Sequence, residues 1–263
     1  MSATVLPGLL GDPLRFLVER TISGADLPVV EKIEAMRADM AKRNREFVGV
    51  FEGDQLKAKS GRSKSLAEVA WVVSIVPLWG TFLYLCAKAS AAKTILELGG
   101  GAGISGCYLA SGPSCTRFVT IEGHPDRAQL AELHLRSVAN HAEVVNASFE
   151  DGVRDVLPTL DGGIDLVFID GARRWETMHG LLSRMMPHFN PHCIVILDDI
   201  HWSAGMRHIW KKVCRFQGFG YAINVGRFGV CGWSGGEVRP KTGTLFGLAG
   251  IDLYGARRRL KRG

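Results

Sequence analysis

Residues 93–103 read KTILELGGGAG. An apolar strand runs straight into a glycine-rich turn, and Glu97 stands two residues before the first glycine. Glycine lets the backbone turn tightly and approach a ligand closely, and a helix that follows such a turn offers free N–H groups. The pattern is that of the first strand, turn and helix of a nucleotide-binding doubly wound α/β domain.

Outward from this turn the chain alternates. Strand patterns fall at 93–98, 117–122, 142–146, 164–169 and 193–197, with helical patterns at 104–111, 125–140, 150–157, 173–186 and 203–216. Strands spaced by helices of this length predict right-handed crossovers and a parallel sheet. After 218 the rhythm changes: 219–225 and 227–233 read as two strands parted by one glycine, an antiparallel hairpin at the sheet edge. Residues 1–92 read as an N-terminal helical extension capping the substrate side, and 93–263 as the nucleotide-binding domain. Within the extension, 26–47 predicts an amphipathic helix with Asp26 as N-cap, 49–65 a polar loop, and 66–90 further helix.

The chain has 263 residues, a net charge of +6 and 46% hydrophobic residues, ordinary values for a globular protein with a full core. Its six cysteines include no CxxC pair, which argues for reduced, buried thiols and against a disulfide framework or a zinc site. The opening MSATVLPGLLGDP lacks a basic region followed by an apolar run, so no secretory signal is expected and the location is read as cytoplasmic. Residues 69–87 carry no charge, but Pro77 and Gly80 interrupt them. The favoured reading is buried helices on the sheet; peripheral membrane contact through 69–87 and the basic run 257–262 is the alternative. No aromatic-and-basic motif accompanies the charge, so nucleic acid is not an expected partner. The N-terminal helices offer surface for a homodimer.

In an open parallel sheet the ligand sits beyond the carboxyl ends of the strands, so the residues closing each strand carry the chemistry. After Glu97 come Gly99, Gly100, Gly101 and Gly103. Gly101, Gly103 and Gly106 also satisfy the dinucleotide fingerprint, but a carboxylate beside the turn would repel a pyrophosphate. It suits the ammonium and sulfonium of S-adenosylmethionine (SAM). Glu122, followed by Gly123, can accept both ribose hydroxyls. Ser148 and Phe149 can hydrogen-bond and stack an adenine. Asp170 closes the fourth strand, and Asp198 and Asp199 close the fifth, with His201 and Trp202 just beyond. Three carboxylates in one crevice require an offsetting cation or proton. That cation could be the sulfonium, an amine substrate, or Mg2+ held by oxygen ligands.

Residues 93–233 resemble the class I SAM-dependent methyltransferases, through LELGGGAG (96–103), TIEGHPDRA (120–128), LVFIDG (166–171) and LDDIHWSAGM (197–206) in order. Small bacterial O-methyltransferases of the catechol and caffeoyl-CoA type are the nearest likeness. The resemblance implies a Rossmann-like, seven-stranded, mostly parallel sheet ending in a reversed hairpin. It also implies that Glu97, Gly99 and Gly101 line the methionine moiety, Glu122 the ribose, and Ser148 and Phe149 the adenine. In metal-dependent relatives, acids matching Asp170 and Asp198 and an amide matching Asp199 bind Mg2+; the aspartate at 199 departs from that pattern. Relatives carry a histidine or lysine after the Asp-Gly pair as a base, whereas here Ala172 and Arg173 follow. Arginine stays protonated, so Arg173 is read as steering an anionic acceptor and His201 as the base. The expected activity is methyl transfer to the oxygen of a small acceptor, hydrophobic or aromatic to match Trp71, Trp79, Phe82 and Tyr84 above the crevice. An NAD(P)-dependent oxidoreductase and a non-catalytic docking module are the competing readings.

Overall fold

In a computed structural model, residues 10–43, 46, 47, 64–236, 238, 240–244, 261 and 262 are described. Most of the polar 49–65 stretch and residues 257–260 of the basic run lie outside them, as do residues 1–9.

The helices of the first third are α1 (Gly11–Glu19), α2 (Leu27–Lys42) and α3 (Pro77–Ala89). The central strands are β1 (Thr94–Leu98), β2 (Arg117–Ile121), β3 (Ala142–Val145), β4 (Ile164–Ile169) and β5 (Phe189–Leu197). Between and after them run α4 (Ile104–Ala110), α5 (Pro125–Arg136), α6 (Phe149–Val156), α7 (Trp175–Met185) and α8 (Ala204–Val213). Then come β6 (Phe219–Asn224), β7 (Gly229–Trp233) and β8 (Lys241–Thr244). The sheet order is β8-β6-β7-β5-β4-β1-β2-β3. All pairings are parallel except those of β7, which runs antiparallel to both β5 and β6.

The α/β class, the parallel centre and the reversed hairpin agree with the sequence reading. The strand count does not: the sheet has eight strands, not seven. The eighth is β8, whose glycine and threonines pair parallel with β6 and form the edge of the sheet. Such a short, polar and largely exposed edge carries no apolar alternation to announce it.

Both sheet faces are buried, and successive residues alternate between them. Ile95, Phe118, Leu166, Phe168 and Ile196 face the layer built by α1 to α5, while Leu96, Val119, Val167, Ile169 and Val195 face α6, α7 and α8. The helices that precede β1 thus share a core with the sheet. Four rings weld that side. Phe228, in the β6–β7 turn, lies 4.9 Å from Trp79, 5.8 Å from Phe82 and 5.6 Å from Phe168 between ring centroids.

The 66–90 segment is a pair of helical pieces, as the interruption at Pro77 predicts: Leu66–Glu68 runs into a π-helical turn, Val69–Val73, which ends before α3. Pro77 forces the residue before it out of helical geometry, and Val76 is extended. The two pieces meet at 65°; no single helix among the described residues is long and apolar enough to cross a membrane, although the bent pair passes that test by length and composition together. Asp26 sits at the N-cap position of α2 but makes no capping bond. Its carboxylate accepts instead from Lys88 Nζ at 2.7 and 2.8 Å and from the Tyr84 hydroxyl at 2.8 Å, tying α2 to α3.

Phe228 is fully buried among three rings from α3 and β4. Replacing it with alanine should lower the free energy of urea unfolding by about 3–5 kcal/mol; a loss under about 1 kcal/mol would show that the ring cluster does not hold the hairpin to the helices.

Candidate active site

The strand ends continue into one another by a further rung of backbone bonds. Gly99 N donates to Ile121 O (2.9 Å), Asp170 N to Leu98 O (2.8 Å), Asp198 N to Ile169 O (2.9 Å) and Glu122 N to Val145 O (3.0 Å). This ladder fixes the loop backbones above the sheet. There they line a cleft of about 660 Å³.

One half of the cleft is the glycine turn and the end of β2. Gly99 has φ +95, and a β-carbon there would lie 1.9 Å from Asp170 O, so only glycine fits. Gly101 has φ +51 and open space where a side chain would stand. Gly103, at φ +83, does not line the cleft; a β-carbon there would press within 2.7 Å of Ala131 Cα, so it serves the packing of α4 on α5. Glu122 accepts from Gly101 N (2.9 Å) through Oε2 and from His124 N (2.8 Å) through Oε1. Its two oxygens are thereby held rigid, each with a further lone pair to offer. Gly123, Ser148 and Phe149 line the next wall. The Ser148 hydroxyl is the N-cap of α6, accepting from Asp151 N at 3.1 Å.

Glu97 is not in the cleft. It is fully buried, and neither carboxylate oxygen has a partner of hydrogen-bonding geometry. The pleat explains this: Glu97 shares the face of Ile95, so its side chain enters the packed layer beneath the turn, 3.0 Å from where a Gly106 β-carbon would be. Burial pushes its pKa up to about 7, although Ser105 and Thr120 lie alongside and favour ionisation.

The other half is acidic and basic together. Ligand atoms of Asp170, Asp198 and Asp199 lie within 4.8 Å of one another, so the convergence expected of these three is present. Asp199 adopts φ +56, a left-handed conformation that aspartate tolerates better than most residues, and lines the cleft. The sequence reading missed the principal partner, Arg227. Its Nε donates to Asp198 Oδ1 and its Nη2 to Asp198 Oδ2, both at 2.6 Å, and Nη2 lies 3.6 Å from Asp199 Oδ1. Arg173 Nη2 lies 3.5 Å from Asp199 Oδ2, with its guanidinium 5.6 Å from the Trp202 ring centroid. A signal for Arg227 existed. Once β7 is set antiparallel on β5, with Gly229 opposite Leu197, residues 227 and 199 face each other.

These charges set the local proton affinities. Burial, then Asp198 and Asp199, push the Asp170 pKa well above the usual carboxylate range. Burial and Asp198 raise Asp199 to about 6, against the pull of Arg227 and Arg173. Burial opposes the charge on Arg227, but Asp198 outweighs it and keeps the guanidinium protonated. A divalent ion does not fit this donor set as it stands. Both Asp198 oxygens are engaged by Arg227, and Oδ1 also accepts from Asp199 N at 2.6 Å. Two unit charges about 4 Å apart, at an effective dielectric of about 20, interact by about 4 kcal/mol, so a dication would meet strong repulsion from the fixed guanidinium.

His201 also stands apart. Its Nε2 pairs with Asn224 Nδ2 at 2.9 Å, and the residue does not line the cleft. Trp79, Phe82 and Tyr84 are core residues, not a cleft roof. From that segment Val73, Ser74 and Ile75 reach the cleft instead. His124 and Arg127 line it as well, unforeseen although both lie within the 120–128 motif.

Residues 96–200 match the family described as "Methyltransferase domain". This segment, running from within β1 to just beyond β5, is similar to a methyltransferase domain. The catechol O-methyltransferase of Mycobacterium tuberculosis is 43% identical over 95 residues, 35% of this chain and 41% of that protein. That of Niastella koreensis is 34% identical over 126 residues, 46% and 55% of the two chains. The chain thus spans about half the length of these curated relatives. Among solved structures, the O-methyltransferase TomG from Streptomyces achromogenes, in complex with SAM, matches with a TM-score of 0.51 and 25% identity over 62% of this chain and 82% of that one. Residues 96–200 and the helices before them share one continuous core.

The buried Glu97 gives a pH test. Folded, it holds its proton to about pH 7; unfolded, it loses it near the ordinary glutamate value of about 4.3. Between these values the folded state carries the extra proton, so stability falls as pH rises, by about 3–4 kcal/mol in all. Glu97→Gln should therefore gain on the wild type in urea midpoint between about pH 5 and about pH 8. A constant difference would show that Glu97 ionises freely in the fold.

Proposed function

We propose that the chain is a SAM-dependent methyltransferase acting on an oxygen of a small-molecule acceptor. The observation that carries this reading is the cleft's division. A glycine turn and the clamped Glu122 carboxylate form one half, and a cluster of three acids and two arginines forms the other. The relatives' names and the SAM-bound neighbour point the same way.

The residues fit the cofactor. The Glu122 oxygens, already oriented by Gly101 N and His124 N, would take the ribose hydroxyls. The open face of Gly101 leaves room for close approach, and Phe149 offers an aromatic side chain at the purine end. SAM supplies an electrophilic methyl group on a sulfonium. The protein's part is to align the acceptor oxygen, exclude water and take the acceptor proton. With His201 turned to Asn224, that proton falls to a carboxylate lining the cleft. Asp199, with a pKa near 6, is the fitting base. Arg173, beside it and half-buried, would draw an acceptor that carries negative charge. Val73 and Ile75 give the acceptor an apolar flank. Metal is not assigned a step.

Isothermal titration with S-adenosylhomocysteine should show one site. Glu122→Gln and Glu122→Ala should weaken it about 10- to 100-fold, the worth of a charge-assisted hydrogen bond. Binding of NAD in place of S-adenosylhomocysteine would contradict the reading.

A further inference from the structure

The geometry points to Arg227 as the built-in cation of the strand-end cluster, standing where metal-dependent relatives hold a divalent ion, so that this site works without a bound metal. Activity without a metal rests on the methyltransferase reading; the guanidinium's place among the three acids does not.

Arg227 is placed by the fold and not by chance contact. Its backbone carbonyl accepts from Ile200 N at 3.2 Å, and Gly226 beside it has φ +96, which a side chain would resist. Gly226 N donates to Asn224 Oδ1 at 2.9 Å, closing the turn. The next residue, Phe228, is locked in the ring cluster. The arginine side chain is 11% exposed and that of Asp198 is 1% exposed, so the pair is formed out of water. Its fork-to-fork geometry is the strongest that arginine makes with a carboxylate.

For a metal to enter, Asp198 would have to release both of those bonds. The guanidinium cannot shed its proton, so it would be left with only the 3.6 Å contact to Asp199, a carboxylate the ion would also claim. The charge count agrees. Arg227 and Arg173 set two positive charges against the carboxylates of Asp198 and Asp199. The aspartate at 199, where the metal-dependent pattern has an amide, fits the same account. An arginine-filled site tolerates a second negative charge and takes a contact from it.

The test is a titration of Mn2+ into the full chain, with free ion followed by electron paramagnetic resonance, for wild type, Arg227→Met and Arg227→Gln. The wild type should leave the ion free up to about 1 mM, whereas either variant, with its acids uncovered, should bind one ion at least about tenfold more tightly. Binding of one Mn2+ by the wild type at tens of micromolar would overturn the proposal. So would a folded variant that binds no better than the wild type. Thermal melts identify a variant that does not fold, and the wild-type titration then decides alone. S-adenosylhomocysteine binding, measured on the same samples, separates the two claims: its absence would remove the methyl-transfer reading and leave the cation result standing.

Discussion

Three carboxyl groups brought to adjacent strand ends would repel one another and resist burial. Their tolerance depends on one ion pair, Asp198 with Arg227, formed at 2.6 Å on both oxygens. That pair depends in turn on β7 running against β5, the reversed pairing in an otherwise parallel sheet. A strand laid parallel there would have carried its own start to the far end of the sheet. The reversal brings the β6–β7 turn to the same edge as the ends of β4 and β5, and delivers a basic residue to an acidic crevice.

The turn is held from behind by packing. Phe228 sets the hairpin against Trp79 and Phe82 of α3 and Phe168 of β4. The same α3 segment begins at Pro77, after a short extended link from the π-helical turn that leaves Val73, Ser74 and Ile75 on the cleft. Helices that precede the nucleotide-binding strands therefore reach the site in two ways: through the core, by fixing the arginine, and at the surface, by supplying an apolar wall. Burial of both sheet faces supplies the low dielectric in which these charges matter.

Much of this was legible in the sequence, and the failures share a cause. The strand and helix alternation from 93 onward fixes the parallel sheet, because both periods are strong there. Gly99, Gly101, Glu122, Gly123, Ser148, Phe149, Asp170, Arg173 and Asp199 all line the cleft as strand-end reasoning expects. Glu97 does not, because nearness to the turn was weighed and pleat parity was not; sharing a face with Ile95 commits it to the interior. The aromatic residues of α3 look like a substrate roof in one dimension but point into the core. Arg227 required the register between two strands far apart in the chain, and β8 offered too little apolar contrast to read. Pattern along the chain is a local signal, and each miss concerns a partner supplied from elsewhere.

The central claim is that a guanidinium, not a metal ion, balances the acidic strand ends. A crystal structure with S-adenosylhomocysteine, grown or soaked in Mn2+ and examined by anomalous scattering, tests it most directly. The account predicts no anomalous peak among Asp170, Asp198 and Asp199, with Arg227 bidentate on Asp198. A peak ligated by these carboxylates, with Arg227 swung clear of Asp198, would contradict it.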